Sequence, residues 1–421
     1  MIGGRRPTPA SQTRASTPAS QNRTCWGPRL RLVVRLICLA SASAVLWPVL
    51  PWNGAPRMVL RLSAFTVICS GIALRSLRWG AGIGLIFAAV SLSKRRWFCR
   101  YLCPAGLLLE GVERIGMRKT SWWKRCPPVG RYAALLTVAG AAAGYPLLLW
   151  MDPLAIFSSP FAIRGAASAI SAVLAGTALG ILVLLSLTSG PIWCSRLCPL
   201  GGTQDLLAAA NIRPSAESRS SPRPGTRLGF VARRALLVGI AGTGMGLLAE
   251  RAGAARGDKA PLRPPGAIQE NRFAGLCLRC GSCIRACPSQ ILHADLGQAG
   301  IAGLLAPVLR YGKKYCLENC RACTQVCPSG ALKELDLEQK RRYVIGEALV
   351  DGSICWVPLG RKDCNACVHA CPFGAIQMYW DEEKYIAYPL VATEKCNGCG
   401  ACEVACPTGE IKAIRVWKRV D

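Results

Sequence analysis

Cysteine is the residue type with the clearest chemical capacity in this sequence, because the chain holds 24 cysteines and most of them stand in regular groups. Two groups have the spacing Cys-x2-Cys-x2-Cys-x3-Cys-Pro. Their members are Cys277, Cys280, Cys283 and Cys287, and Cys396, Cys399, Cys402 and Cys406. In bacterial ferredoxins this spacing holds paired [4Fe-4S] clusters, with three thiolates on one cluster and the fourth on its neighbour. Two full copies favour iron-sulfur clusters over a zinc site or disulfide bonds.

Two further groups lie between these in the chain and have a wider first spacing. Their members are Cys316, Cys320, Cys323 and Cys327, and Cys355, Cys364, Cys367 and Cys371. A wider spacing lengthens the loop without removing a ligand, so the sixteen cysteines predict four [4Fe-4S] clusters. The sequence is compatible with two arrangements of the groups. Either neighbouring groups pair, the first with the second and the third with the fourth, or the first pairs with the fourth and the second with the third.

Positive side chains within these groups bear on the charge of such clusters. A cluster with four thiolates carries about −2 when it is oxidised. Arg279, Arg285 and Arg321 are therefore candidates to offset this charge and to raise the cluster potentials. The alternative for each arginine is a solvated position on the surface.

The N-terminal half carries a different cysteine motif, Cys-x3-Cys-Pro, which occurs twice. The pairs are Cys99 with Cys103 and Cys194 with Cys198. This spacing puts two thiols one helical turn apart on the same face, so the two pairs could supply four ligands to one site. We expect either a further iron-sulfur cluster or a redox dithiol there, with ordinary buried cysteines as the alternative.

Histidine is too scarce in this chain for the common haem sites. The chain holds only His293 and His369, and both lie in the C-terminal region. A transmembrane haem with two histidine ligands is thereby excluded, and no Cys-x2-Cys-His sequence offers an attachment point for a c-type haem. We therefore expect no haem.

The composition indicates what holds these motifs in place. Apolar residues make up 51% of the chain, which is high for a soluble enzyme. Residues 1 to 255 hold 30 of the 52 Lys and Arg residues but only 6 of the 23 acidic residues. Positive loops that fix membrane topology account for this bias better than nucleic-acid binding does, because no basic patch carries interleaved aromatic side chains. We expect a membrane protein that binds no nucleic acid.

Apolar stretches separated by basic residues predict an α-helical transmembrane bundle with four crossings. A crossing takes about 20 residues. The stretches assigned as crossings are residues 30–52, 80–93, 132–150 and 168–192. Residues 58–74 are predicted to lie along the outer surface. The basic residues that follow the second crossing place that side of the bundle, and the N-terminus, in the cytoplasm.

The predicted domain boundaries follow the shifts in composition. Residues 1–29 form a basic arm that is predicted to be disordered, and residues 30–210 form the membrane domain. Residues 211–255 contain a linker and then two arginines before a short apolar run, which is typical of a twin-arginine export signal or of a fifth membrane helix. Either interpretation places residues 256–421, an α+β ferredoxin-like domain with the four cluster sites, on the outer face of a bacterial inner membrane.

Together these motifs resemble two known proteins joined end to end. Residues 30–210, with Trp97 and Trp193 beside the Cys-x3-Cys-Pro motifs, are similar to the NapH-type membrane subunit of the quinol dehydrogenase that serves periplasmic nitrate reductase. Residues 228–421 resemble the MauM/NapG-type periplasmic ferredoxins. The paired Cys-x3-Cys-Pro motif also occurs in NosR-like and oxidase-assembly proteins. This chain departs from NapH-type subunits because no two-cluster segment follows its second motif before the two arginines.

The resemblance implies that the chain is a quinol dehydrogenase component. Quinol from the membrane pool would be oxidised in or beside the helical bundle, and electrons would leave singly through the clusters to an extracytoplasmic reductase or cytochrome. Two alternatives stay open, namely an assembly or maintenance factor for a partner metalloenzyme and an electron-transfer subunit without a quinol site. For the few acids of the membrane half, Glu110, Glu113 and Asp152, we expect structural or solvated roles, so the catalytic residues are unknown.

Overall fold

The computed structural model describes residues 28–47, 55–76, 81–116, 126–165, 169–211, 227–254, 261–298, 300–383 and 385–419. Nearly all of the predicted arm and most of the predicted linker lie outside these residues. As predicted, the described N-terminal half consists of helices, and the described C-terminal half combines short helices with short strands.

The N-terminal half forms eleven helices in its described residues. These are α1 Pro28–Leu46, α2 Ala55–Arg61, α3 Ala64–Leu74, α4 Ala81–Ser93, α5 Trp97–Tyr101, α6 Pro104–Ile115, α7 Val129–Ala142, α8 Pro153–Ser158, α9 Ala169–Ser189, α10 Pro199–Ala210 and α11 Arg227–Ala254. Local sequence sets several of their ends. Helix α7, for example, stops at Ala142 because Gly144 adopts a left-handed conformation with φ +92° and Pro146 follows it.

The C-terminal half is built from seven short helices and six short strands in its described residues. The helices are α12 Glu270–Leu276, α13 Ser282–Ala286, α14 Gly300–Gly303, α15 Ala322–Gln325, α16 Leu337–Arg342, α17 Ala366–Ala370 and α18 Ala401–Ala405. The strands are β1 Leu292–Ala294, β2 Pro307–Leu309, β3 Glu347–Val350, β4 Ile376–Asp381, β5 Ile386–Val391 and β6 Ile414–Trp417. They form three antiparallel pairs, β1 with β2, β3 with β6, and β4 with β5.

The predicted crossings correspond to α1, α4, α7 and α9, which are 19, 13, 14 and 21 residues long. Among the described helices, one stretch is long and apolar enough by itself to cross a membrane, namely Arg233–Gly253 within α11. The short length expected of this element is wrong, because α11 continues for 28 residues. Whether it is an export signal or a fifth membrane helix stays a prediction. The four-crossing bundle stays a prediction.

The placement of residues 58–74 along an outer surface is also wrong. Phe65, Val67 and Cys69 of α3 are buried, and α3 packs against α7 and α10. Helix α3 is apolar around its circumference, so packing inside the helical bundle covers more of its surface than an exposed position would.

A buried segment after α7 joins the two halves of the protein. The sequence predicts a loop here, but the structure has a 3-10 turn Leu149–Met151, then α8, then a second 3-10 turn Ser159–Gly165. Asp152 caps α8 by accepting a hydrogen bond from Leu154 N at 2.8 Å, and it also accepts bonds from the hydroxyls of Ser63 and Thr66. Its role is therefore structural, as expected. The core around α8 continues into the first cysteine group.

Helix α11 packs closely on α7 through glycine. A Cβ atom built on Gly242 would lie 2.6 Å from Leu136 O, and one on Gly246 would lie 3.0 Å from Gly140 Cα. Small residues four positions apart allow two helix backbones to approach in this way. Helix α11 is thus an integral part of the helical bundle.

We predict that Gly242→Ala destabilises the protein, since the added methyl would push α11 away from α7. Overpacking of this kind costs about 1–3 kcal/mol, so the thermal midpoint of the purified protein in detergent should fall. Gly244→Ala is the matched control, because a Cβ at Gly244 meets nothing within 4 Å. Equal midpoints for the two variants would contradict the close packing.

Candidate iron-sulfur sites

In the first two cysteine groups, the last cysteine of each group lies beside the first three cysteines of the other. The thiol of Cys283 interacts electrostatically with those of Cys277, Cys280 and Cys327, and less strongly with that of Cys323. The thiol of Cys323 interacts in the same way with Cys316, Cys320 and Cys287. We name these thiol sets site 1 (Cys277, Cys280, Cys283, Cys327) and site 2 (Cys316, Cys320, Cys323, Cys287).

The last two groups are arranged in the same way. Cys402 interacts with Cys396, Cys399 and Cys371, and Cys367 interacts with Cys355, Cys364 and Cys406. We name these sets site 3 (Cys396, Cys399, Cys402, Cys371) and site 4 (Cys355, Cys364, Cys367, Cys406). Of the two arrangements that the sequence allows, the structure therefore has the one in which neighbouring groups pair.

These thiol sets suit a cubane better than a single ion. Thiolates that ligate the corners of a cubane do not converge on one atom, and no group of three or more metal-binding side chains among the described residues is placed to hold a single metal ion. Burial raises the pKa of Cys277 and of Cys399 to about 11. Since the thiolate is the form that binds iron, bound metal would have to stabilise a charge that burial opposes.

Site 2 and site 3 lie side by side. The backbone N–H of Cys316 donates to Cys399 O at 2.9 Å, and the hydroxyl of Tyr311 donates to Gly398 O at 2.6 Å. Tyr311 interacts electrostatically with thiols of both sites. The spatial order of the four sites is therefore 1, 2, 3, 4, which differs from the order of the cysteine groups in the sequence.

Cationic side chains accompany sites 1 and 2. Arg279 interacts with Cys277, and Arg285 interacts with Cys280 and Cys283, in line with their predicted role. Arg321 instead donates to the main chain at Leu335 O. Sequence reasoning missed Lys340, which is fully buried in α16 and interacts with Cys316 and Cys323. Lys340 lies outside every cysteine motif, so nothing in the sequence pointed to this role.

The two Cys-x3-Cys-Pro motifs meet in space. Cys99 interacts with Cys103 and Cys194, and Cys198 interacts with Cys99 and Cys194. We name these four residues the N-terminal quartet. Gln204, which the sequence did not single out, donates from Nε2 to the Cys99 sulfur at 3.1 Å.

The local sequence explains how each motif presents its second cysteine. Cys103 caps α6 and Cys198 caps α10, with proline at the first helical position in both cases. Each sulfur accepts a hydrogen bond at 3.4 Å from the backbone N–H three residues later, at Gly106 and at Gly201. The motifs are thus two copies of one structural unit. The second copy approaches its cap through a π-helical turn, Trp193–Leu197, a feature that often marks functional sites.

Three arginines form ion pairs with one aspartate and so connect the two copies. Arg96 donates to Cys194 O at 2.9 Å and to the Asp205 carboxylate at 2.7 Å. Arg95 and Arg131 also bind Asp205, whose side chain is 1% exposed. Burial alone would raise the pKa of Asp205, but the hydrogen bonds and charges of Arg95 and Arg96 hold it well below its usual range. The quartet is therefore framed by a fixed ionic cluster.

The segment around α8 lies between the quartet and site 1. A cavity of about 620 Å³ beside the quartet is lined by Pro153 at the start of α8. At the other end of α8, the Ser158 hydroxyl donates to Cys280 O at 3.4 Å. Since α8 has only six residues, it spans roughly 9 Å. Helix α8 is therefore the segment that connects the cavity beside the quartet with the loop of site 1.

Comparison with known families matches both kinds of motif. The 4Fe-4S dicluster domain family matches residues 276–331 and 361–410, and a 4Fe-4S binding domain family matches residues 77–122 and 171–214. The first pair of ranges covers fifteen of the sixteen C-terminal cysteines, all but Cys355. The second pair contains both Cys-x3-Cys-Pro motifs.

Several curated ferredoxin-type proteins are similar to part of the chain. The methylamine utilization ferredoxin-type protein MauM of Methylorubrum extorquens is 32% identical over 189 residues, which is 42% of this chain and 81% of MauM. The ferredoxin-type protein NapG of Escherichia coli is 35% identical over 212 residues, or 47% of this chain and 88% of NapG. The ferredoxin-type protein NapF of Escherichia coli is 30% identical over 152 residues, which is 36% of this chain and 84% of NapF. No solved structure matches the chain.

The exchange of cysteines between neighbouring groups predicts the iron content of double variants. Cys277→Ser with Cys327→Ser alters one site, so about four iron atoms per chain should be lost after anaerobic reconstitution. Cys277→Ser with Cys287→Ser alters two sites, so about eight should be lost. Iron and acid-labile sulfide determinations would measure both losses. If the second variant lost no more iron than the first, the assignment of Cys287 to site 2 would be wrong.

Proposed function

Because the chain belongs to the family of ferredoxin-type iron-sulfur proteins that includes MauM and NapG, we propose that it carries electrons from membrane quinol to a redox partner outside the cytoplasm. In this proposal it is a quinol dehydrogenase component with its membrane domain and its ferredoxin domain in one chain. The terminal acceptor would be a reductase, such as nitrate reductase, or a cytochrome.

One observation carries the proposal, namely the continuous spatial series of thiol sets from the helical half to the far end of the C-terminal half. The quartet adjoins α8, α8 adjoins site 1, and sites 1 to 4 follow in order. A [4Fe-4S] cluster takes up and releases one electron at a time, so such a series divides the two electrons of quinol into single transfers. The residues of the chain hold the sites close together.

The surface of α11 supports a membrane location. Leu236, Leu237 and Ile240 are more than 60% exposed, although all three are large apolar side chains. Exposed apolar side chains along a helix that is long enough to span a bilayer are typical of lipid contact. The basic bias of the N-terminal half supports the predicted orientation, with the N-terminus in the cytoplasm and the ferredoxin domain on the periplasmic side.

We further propose that the N-terminal quartet holds a fifth [4Fe-4S] cluster. The observations in support are the proximity of the four thiols, the hydrogen bond from Gln204 to the Cys99 sulfur, and the similarity of both motifs to a 4Fe-4S binding domain family. A redox dithiol would need two thiols and no iron, so iron content separates the two interpretations.

Cys99→Ser tests the quartet. We expect the purified variant to contain about four iron atoms fewer than wild type, because one cluster would lose a ligand. Cys38→Ser is the control, since Cys38 is a free cysteine on α1 and belongs to neither Cys-x3-Cys-Pro motif. Unchanged iron in Cys99→Ser would favour the dithiol.

Anaerobic addition of a short-chain quinol to the oxidised protein tests the function. We expect EPR signals of reduced clusters to appear, together with one equivalent of quinone for every two electrons taken up. Dithionite serves as the control donor. Reduction by dithionite but not by quinols of either low or high potential would exclude quinol oxidation and favour a subunit that is fed by a soluble donor.

A further inference from the structure

A small cavity lies where the helical half meets the loop of site 1. It has a volume of about 100 Å³. Its walls come from α8 and the following 3-10 turn, from α9, and from the loop that contains Cys277 and Cys280. Ligand pockets are commonly found at interfaces of this kind, with apolar walls and a few polar groups.

Arg279 is the distinctive polar residue of this cavity. It lies between two site 1 cysteines and adopts a left-handed backbone conformation with φ +54°. Its Nε and Nη2 donate to Leu304 O and Ala302 O at 2.7 and 2.8 Å, whereas the buried Nη1 has no partner among the described residues. An unpaired buried donor and a strained backbone are both unfavourable, and both are typical of a binding site that awaits an acceptor.

The other walls indicate the kind of molecule that would bring this acceptor. The guanidinium carbon of Arg279 lies 5.5 Å from the centre of the Trp150 ring, which gives the cavity an aromatic face beside a cation. Ala155, Leu174 and Ala178 supply apolar walls. On the same helix as Leu174, the side chains of Val173 and Ile181 are about two-thirds exposed, so an apolar tail could leave along α9. The combination fits a flat ring with an oxygen substituent and an apolar tail.

The larger cavity beside the quartet fits such a molecule less well. Its lining includes Arg31, Arg35, Arg100 and the ion-paired Glu110. These charged groups favour water or a polar ligand over an uncharged ring and tail.

We propose that the cavity between α8, α9 and the site 1 loop binds the quinol ring, with Arg279 donating to one of its oxygens. This rests on the proposed function and adds the location of its substrate. Each quinol would become a quinone by releasing two protons to water and two electrons, one at a time, to the oxidised iron-sulfur cluster of site 1. The loop that lines the cavity carries Cys277 and Cys280, so the ring would lie next to its electron acceptor.

Binding of a quinol analogue tests the site without depending on turnover. The full-length protein in detergent would be titrated with 2-heptyl-4-hydroxyquinoline N-oxide, whose fluorescence is quenched on binding. We expect one site per chain. Ala178→Phe, which fills the cavity, should weaken binding at least tenfold, and Arg279→Gln should weaken it by about tenfold because a charged hydrogen-bond donor is lost.

Two variants serve as matched controls. Gly180→Phe adds the same ring to α9 at a position where a Cβ meets nothing within 4 Å. Arg285→Gln removes a second arginine that interacts with site 1 thiols but does not line this cavity. Both should bind the analogue within about twofold of wild type. Arg285→Gln should still change the midpoint potential of site 1, as measured by EPR redox titration.

The outcomes separate the site from the function. If Ala178→Phe and Arg279→Gln both bound the analogue as wild type does, the proposed site would be wrong. A third variant, Leu109→Trp, fills the cavity beside the quartet. If only this variant lost binding, the proposed site would also be wrong. If the analogue bound as expected and quinols still failed to reduce the clusters, the site would stand as a binding site for quinone-like rings, and the proposed function would fall.

Discussion

The contact between α8 and the site 1 loop is the constraint on which the rest of the arrangement depends. The Ser158 hydroxyl reaches Cys280 O, and Gly281 fits against Ala162 so closely that an added Cβ would lie 2.3 Å from the Ala162 methyl. Electron transfer weakens steeply with distance, so two redox halves are useful to each other only when they are held this near. Because glycine lets the two backbones touch directly, the distance between α8 and the site 1 loop is fixed more firmly than it would be by long side chains.

The second constraint on the fold is the burial of charged groups, namely the clusters and the cations beside them. Thiolate-bound clusters are anionic, and the protein places Arg279, Arg285 and Lys340 beside sites 1 and 2. A buried lysine is costly unless it has an anionic partner. Lys340 reaches Leu317 O at 3.5 Å and the thiols of site 2, so its burial is consistent with a charge that the bound cluster would supply. The inner sites thus carry more compensation than site 4, where three of the four cysteines, Cys355, Cys364 and Cys367, are partly exposed.

The four cysteine groups can be recognised from the sequence because ligand spacing is a local property. Each Cys-x2-Cys or Cys-x3-Cys run forms one loop or one turn, and its chemistry does not depend on the rest of the fold. The pairing of groups could not be predicted, since it depends on where the short helix after each group sends the last cysteine. Gln204 and Lys340 were missed because they belong to no motif and reach the cysteine sulfurs only through tertiary packing. The burial of α3 and α8 was missed because a short apolar segment has the same composition in a loop, on a membrane surface or in a core.

The joint between sites 2 and 3 has a consequence for how such proteins diversify. Both hydrogen bonds across it end on main-chain carbonyls, those of Cys399 and Gly398. On the side of the outer pair the contact uses only main-chain carbonyls. Apart from Gly398 and Gly400, where an added Cβ would clash, it therefore places little demand on side-chain identity there. The outer pair of sites can therefore change its surface to suit a different electron acceptor while its attachment to the inner pair stays the same. The inner pair, fitted to α8, has less freedom, so divergence among related chains should concentrate at the end farthest from the helical half.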